Sequence, residues 1–106
     1  MIVMTEATFP GTKADAAATA WLDYMKNNPM PEYVKIIDMY AEAGGAGART
    51  LLFQDVAAGK EAEGYKYISK GAVEILRAVE GYKAEVHVVY NMAEALDFLG
   101  MKPPEV

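Results

Sequence analysis

Two stretches with the period of an amphipathic helix, each flanked on both sides by β-rich runs, are what most restrict the fold of this chain. Residues 2–9 (IVMTEATF) favour a strand and stop at Pro10-Gly11, a turn signal. Beyond the turn, Ala14, Ala17, Ala18, Trp21, Leu22 and Met25 recur at helical spacing, with Lys13, Asp23 and Lys26 off that stripe. Thr12 and Asp15 are a candidate capping pair at its start, and Asn27-Asn28-Pro29 ends it. Residues 32–42 predict a second strand, 43–48 a flexible glycine-rich connection and 49–56 a third strand, which together read as a hairpin. A second helix is predicted over 59–80, with Ala62, Tyr65, Ile68, Ala72, Ile75, Leu76 and Val79 as its apolar stripe and Gly81 as its stop. Gly71 inside it marks a kink or a close backbone contact. Residues 82–90 alternate, with Ala84, Val86, Val88 and Tyr90 on one face and Lys83, Glu85, His87 and Val89 on the other. Asn91 and Glu94 form a second capping pair, and Met92, Ala95, Leu96 and Leu99 predict a short third helix.

The order is β-α-β, hairpin, β-α-β and a short C-terminal helix, within 106 residues, a length that fits one domain over 1–106. This predicts an α+β, ferredoxin-like βαββαβ arrangement: a four-stranded antiparallel sheet with two helices on one face and the first and third strands at its centre. Ile36, Ile37, Met39, Leu51, Leu52 and Phe53 place large apolar groups on both faces of the second and third strands. Two helices cover only one face, and a bare apolar sheet face calls for a partner. The expectation is a homodimer, broken by a charge at Met39 or Leu52 if that residue is on the outer face.

Composition removes many chemistries. The chain has no cysteine and one histidine, which excludes disulfides, thiolate nucleophiles and iron–sulfur clusters and leaves no convincing transition-metal site. Ser69, the only serine, lies mid-helix with no base nearby, against serine hydrolysis. The net charge is −5, and Arg49 and Arg77 are the only arginines, so neither nucleic acid nor an anionic membrane is an expected partner. No apolar run approaches the roughly 18 residues of a membrane span, and residues 1–6 lack a signal-peptide pattern, so a cytoplasmic protein is expected. Gly44, Gly45 and Gly47 precede a strand and not a helix, unlike a phosphate-binding loop.

The stretches Val34–Tyr40, the glycine loop 44–47, Arg49–Phe53, Val86–Tyr90 and Met92–Leu96 resemble, in order and spacing, the dimeric α/β-barrel superfamily, and within it a family of unassigned role. The family-level resemblance covers about 34–96 and the fold-level one nearly the whole chain, and it implies ferredoxin-like subunits whose sheets face each other. The superfamily includes cofactor-free oxygenases, haem-degrading enzymes, isomerases and ligand sensors, and fold alone does not choose among them. Its haem-degrading members use an Asn on the first strand, a Trp on the second helix and a following His. Here the first strand offers Thr5 or Glu6, Trp21 is on the first helix and His87 on the last strand, so no haem and no other cofactor is expected.

Four residues carry the candidate chemistry. His87 is a candidate acid or base on the strand face opposite Val86 and Val88. Glu6, on the neighbouring strand, is a candidate proton carrier beside it. Asp38 and Tyr40 share a face of the second strand and are candidate ligand-binding groups. Each has a plainer reading as a solvated or packing residue. Two functions remain: a small-molecule-binding protein or cofactor-independent enzyme with a cavity between sheet and helices near these four, or a non-catalytic dimeric structural or regulatory module. An RNA-binding sheet shares the topology but would need basic charge and exposed aromatics on its central strands.

Overall fold

Alternation in the β-rich runs and the apolar stripes between them produce seven elements. The computed structural model describes residues 1–104. The chain runs β1 (Ile2–Phe9), α1 (Ala14–Asn27), β2 (Val34–Gly44), β3 (Gly47–Val56), α2 (Glu61–Ala78), β4 (Lys83–Val89) and α3 (Met92–Phe98), with a 3₁₀ turn at Gly11–Lys13 leading into α1. All strand pairs are antiparallel and the sheet order is β2-β3-β1-β4. This is the ferredoxin-like α+β fold, with β1 and β3 central, where right-handed crossovers put them.

Register divides the sheet into two faces. Val3, Ala7, Gln54 and Val56 are buried on the helix side, where Val3, Val34, Val56 and Ile68 form the core cluster. Ile2, Met4, Glu6 and Thr8 alternate to the opposite side, which no element of the chain covers among the described residues.

The helices sit differently from their sequence stripes. In α1 the buried residues are Ala17 and Tyr24, and Leu22 is 59% exposed. In α2 they are Gly64, Ile68, Gly71 and Ile75, while Tyr65 and Leu76 face outward. Both glycines mark close approach. A Cβ on Gly64 would stand 2.4 Å from Val56 Cγ1, and one on Gly71 would stand 2.9 Å from the Tyr24 ring. Bare backbone lets α2 lie down on β3 and on α1. Apolar periodicity alone misses this, because glycine carries no hydrophobic signal.

Two local expectations are corrected. Thr12 makes no capping hydrogen bond; the 3₁₀ turn supplies the entry to α1, with Lys13 N bonded to Pro10 O at 2.8 Å. The glycine segment 43–48 is not a flexible link: pairing continues to Gly44–Gly47, leaving Gly45 and Ala46 as the turn. Gly47 has φ +124°, and a Cβ there would lie 2.6 Å from Phe9 O, so both conformation and space demand glycine. Asn91 and Glu94 do form a full capping box, Glu94 N donating to Asn91 Oδ1 at 2.8 Å and Asn91 N to Glu94 Oε1 at 3.2 Å. The α3 they start buries no residue, and Met92, Phe98 and Leu99 stand exposed.

Candidate functional site

The four candidate residues share one face, the uncovered one. A β-bulge decides this for two of them. β2 pairs Ile36 with Gln54 and then Asp38 with Phe53, leaving Ile37 as the extra residue. A straight strand would turn Asp38 and Tyr40 toward the helices; the bulge turns them away. Across the four strands, Asp38, Phe53, Met4 and His87 then form one row, and Tyr40, Leu51, Glu6 and Glu85 the next. A third row holds Glu42, Arg49, Thr8 and Lys83.

Within one chain the four do not converge. Asp38 and His87 stand on opposite edge strands, about 14 Å apart at about 4.8 Å per strand. Each is engaged locally. The Tyr40 hydroxyl donates to Asp38 Oδ2, which pushes the Tyr40 pKa up. His87 Nε2 lies 3.2 Å from Glu85 Oε2, with the imidazole side chain 47% exposed. Arg49 donates to Glu6 Oε2 at 2.8 Å and to Glu42 Oε1 at 3.3 Å, and these bonds, Glu6's foremost, hold the guanidinium charged. Glu6 and Glu85 are direct ladder partners, so Glu85 is the carboxylate nearest His87 that sequence reasoning left out. Among the described residues, no group of three or more His, Cys, Asp and Glu is placed to hold a metal, and no helix is long and apolar enough to cross a membrane.

The concave space is on the other face. A cavity of about 340 Å³ lies between α1, α2 and the sheet, and none of the four candidates lines it. Its walls are small residues, including Ala17, Ala18, Gly71 and Ala72, closed by Trp21, Tyr24, Tyr67 and Tyr82. The exposed Leu22 and Met39 also line it and mark its mouth. The polar groups in this apolar lining include Gln54, 4% exposed, and Thr5, whose buried Oγ1 has no hydrogen-bond partner among the described residues. Sequence reading missed the cavity because its signal is negative: alanines and glycines where a filled core has Leu or Ile.

The tyrosines at this cavity are held neutral. Tyr24 donates to Tyr67 O at 3.0 Å and Tyr67 to Asn28 O at 2.7 Å. Burial is the first cause raising the pKa of Tyr24, Tyr67 and Tyr82 above 10.0. A raised folded pKa means stability that is full below the unfolded value and lost as pH rises through the folded one. Alkaline titration followed by phenolate absorbance is therefore expected to show these three ionising late, with unfolding. Ionisation of all seven tyrosines in one step near 10 in the folded protein would contradict it.

No protein-family model matches the chain, and no curated protein matches it. Solved structures do. The de novo designed protein Foldit4 superposes with TM-score 0.57 at 12% identity, covering 86% of this chain and 99% of the design. The C-terminal domain of the MgtC protein of Mycobacterium tuberculosis gives TM-score 0.50 at 8% identity, over 81% of this chain and 86% of that domain. A Caulobacter crescentus CB15 protein, provisionally named an antibiotic biosynthesis monooxygenase, gives 0.46 at 16% identity, over 85% and 91%. At these identities the likeness concerns the fold.

Proposed function

We propose that the protein is a homodimeric small-molecule-binding domain, whose ligand is a mostly apolar molecule with one polar group, held between α1, α2 and the sheet. The observation that carries this is the cavity of about 340 Å³, whose apolar wall includes the buried side chain of Gln54. A buried polar side chain in an apolar wall favours a ligand that is mostly apolar and carries one polar atom. At about 24 cal/mol per Å³, a closed void of this size would forgo on the order of 8 kcal/mol against a filled core, most of a small domain's stability. An open mouth lowers that figure, and an occupant removes it. The size is at the lower end of ligand sites, which run from about 300 Å³.

A plain dimeric module is the second reading. It is favoured by the way Glu6, Asp38, Tyr40 and His87 satisfy one another's neighbours on the sheet instead of converging on a space. Trp21, the only tryptophan, lines the cavity and reports on it directly. Anilinonaphthalene sulfonate is expected to quench Trp21 saturably, at one site per chain. Ala72→Phe, which fills the cavity from α2, should weaken that binding at least about tenfold. Absence of saturable quenching, or unchanged binding to Ala72→Phe, would leave the module reading.

A further inference from the structure

The uncovered sheet face carries its charges in a pattern that fits a second copy in one orientation. This rests on the dimer reading above and concerns how the two copies meet. Two sheets stacked face to face are related by a twofold axis lying between them, and the axis runs either along the strands or across them. An axis across the strands sets each strand over its own copy, so that Asp38, mid-way along β2, meets Asp38. An axis along the strands reverses the strand order and keeps the rows. β2 then lies over the partner's β4, and β3 over the partner's β1.

In the three rows described that second arrangement is complementary, while in the fourth, at the Ile2 end, Lys35 lies over the partner's Val89 and Asp55 over the partner's Ile2. Asp38 meets the partner's His87, and Glu42 meets the partner's Lys83. In the middle, Phe53 meets the partner's Met4 and Leu51 meets the partner's Glu6, which carries its own Arg49. Opposite charges meet at the edge strands, and the central strands carry Phe53, Met4 and Leu51 beside the ion pair that Glu6 and Arg49 make within each chain. We infer that the two copies pack about an axis parallel to the strands, so that Asp38 and Tyr40 of one chain and the partner's His87 and Glu85 together form one polar site at each sheet edge. The acid–base set that one chain holds split across about 14 Å is completed by the second copy.

Area calls for more than the two sheets alone. Four strands about 4.8 Å apart and about eight residues of about 3.3 Å each give a plan area of about 500 Å². A stable interface takes about 800 Å² from each partner. The shortfall is matched by α3, which follows β4 directly and exposes Met92, Phe98 and Leu99.

The chain has no cysteine, so a disulfide reads this out cleanly. Both positions are exposed, and Asp38→Cys/His87→Cys is expected to fold. A bond within one chain is out of reach, because disulfides need Cα atoms within about 7 Å. Mild oxidation of the double variant should convert most of the protein to twice 11.5 kDa on a denaturing gel, with neither single variant doing so. A wild type that sediments as a dimer while the double variant stays unlinked overturns this axis and leaves the dimer standing. Linking by Asp38→Cys alone does the same, in favour of the crossed axis. A wild type that sediments at 11.5 kDa overturns both readings.

Discussion

Phe53→Glu is expected to give a folded monomer. Phe53 projects from the central strand β3 on the uncovered face, opposite Met4 in the ladder and edge-on to the Tyr40 ring at 6.3 Å. Nothing of the helix layer touches that face, so the fold loses little when the ring is replaced. In the dimer the same position lies near the middle of the interface. Removing an aromatic anchor there costs about 2 kcal/mol or more, and an unpaired buried carboxylate adds to that. A twofold interface contains the substitution twice. Association should weaken at least about a hundredfold, since each 1.4 kcal/mol is tenfold. Sedimentation equilibrium at micromolar concentration should show the monomer mass, with far-UV circular dichroism unchanged. A variant that stays dimeric would move the interface elsewhere. Met39 and Leu52, which look equivalent in sequence, are the wrong positions for this test. Register pairs them with each other on the helix face, where they line the cavity.

That exchange shows how far the sequence could be read. Element order, strand centre and C-terminal capping box were all legible, because each rests on local chemistry: alternation in 82–90, helical spacing after Pro10-Gly11, Asn91 with Glu94. Faces were not legible where one residue changes the parity. The bulge at Ile37 turns Asp38 and Tyr40 from the cavity side to the open side, and no residue type in Ile36-Ile37-Asp38 announces it. The face of His87, opposite Val86 and Val88, is legible because β4 is unbroken, and the ladder with β1 puts Glu6 on that same face. The cavity escaped for a different reason. Its shape depends on how closely α2 approaches the sheet and α1, and those two approaches are set at Gly64 and Gly71, positions that a hydrophobicity pattern counts as weak.

Gly64→Ala is expected to destabilise the fold, against what helix propensity says. In an exposed helix interior the change would gain about 1 kcal/mol. Here the new methyl would lie 2.4 Å from Val56 Cγ1, 2.8 Å from Cγ2 and 3.1 Å from Cβ. All three are too close, and the neighbour is a short, stiff, β-branched side chain that has no other rotamer to retreat to cheaply. Val56 is 1% exposed and belongs to the core cluster with Val3, Val34 and Ile68, so moving it disturbs that packing. Either α2 lifts from β3 or the core shifts. Overpacking of this kind costs about 1–3 kcal/mol, occasionally more, so the clash outweighs the propensity gain. Gly71→Ala should be milder. Its methyl meets the edge of the Tyr24 ring at 2.9 Å, and the ring can tilt toward the cavity it lines. The decisive comparison is a double-mutant cycle with Val56→Ala, which removes both Cγ atoms. Val56→Ala alone opens a hole and destabilises, but combined with Gly64→Ala it makes room for the new methyl. Chemical denaturation should therefore show the double variant more stable than the sum of the two singles by about 1 kcal/mol or more. Additive losses, or a Gly64→Ala protein as stable as the wild type, would mean that α2 does not rest on β3 through bare backbone at this point.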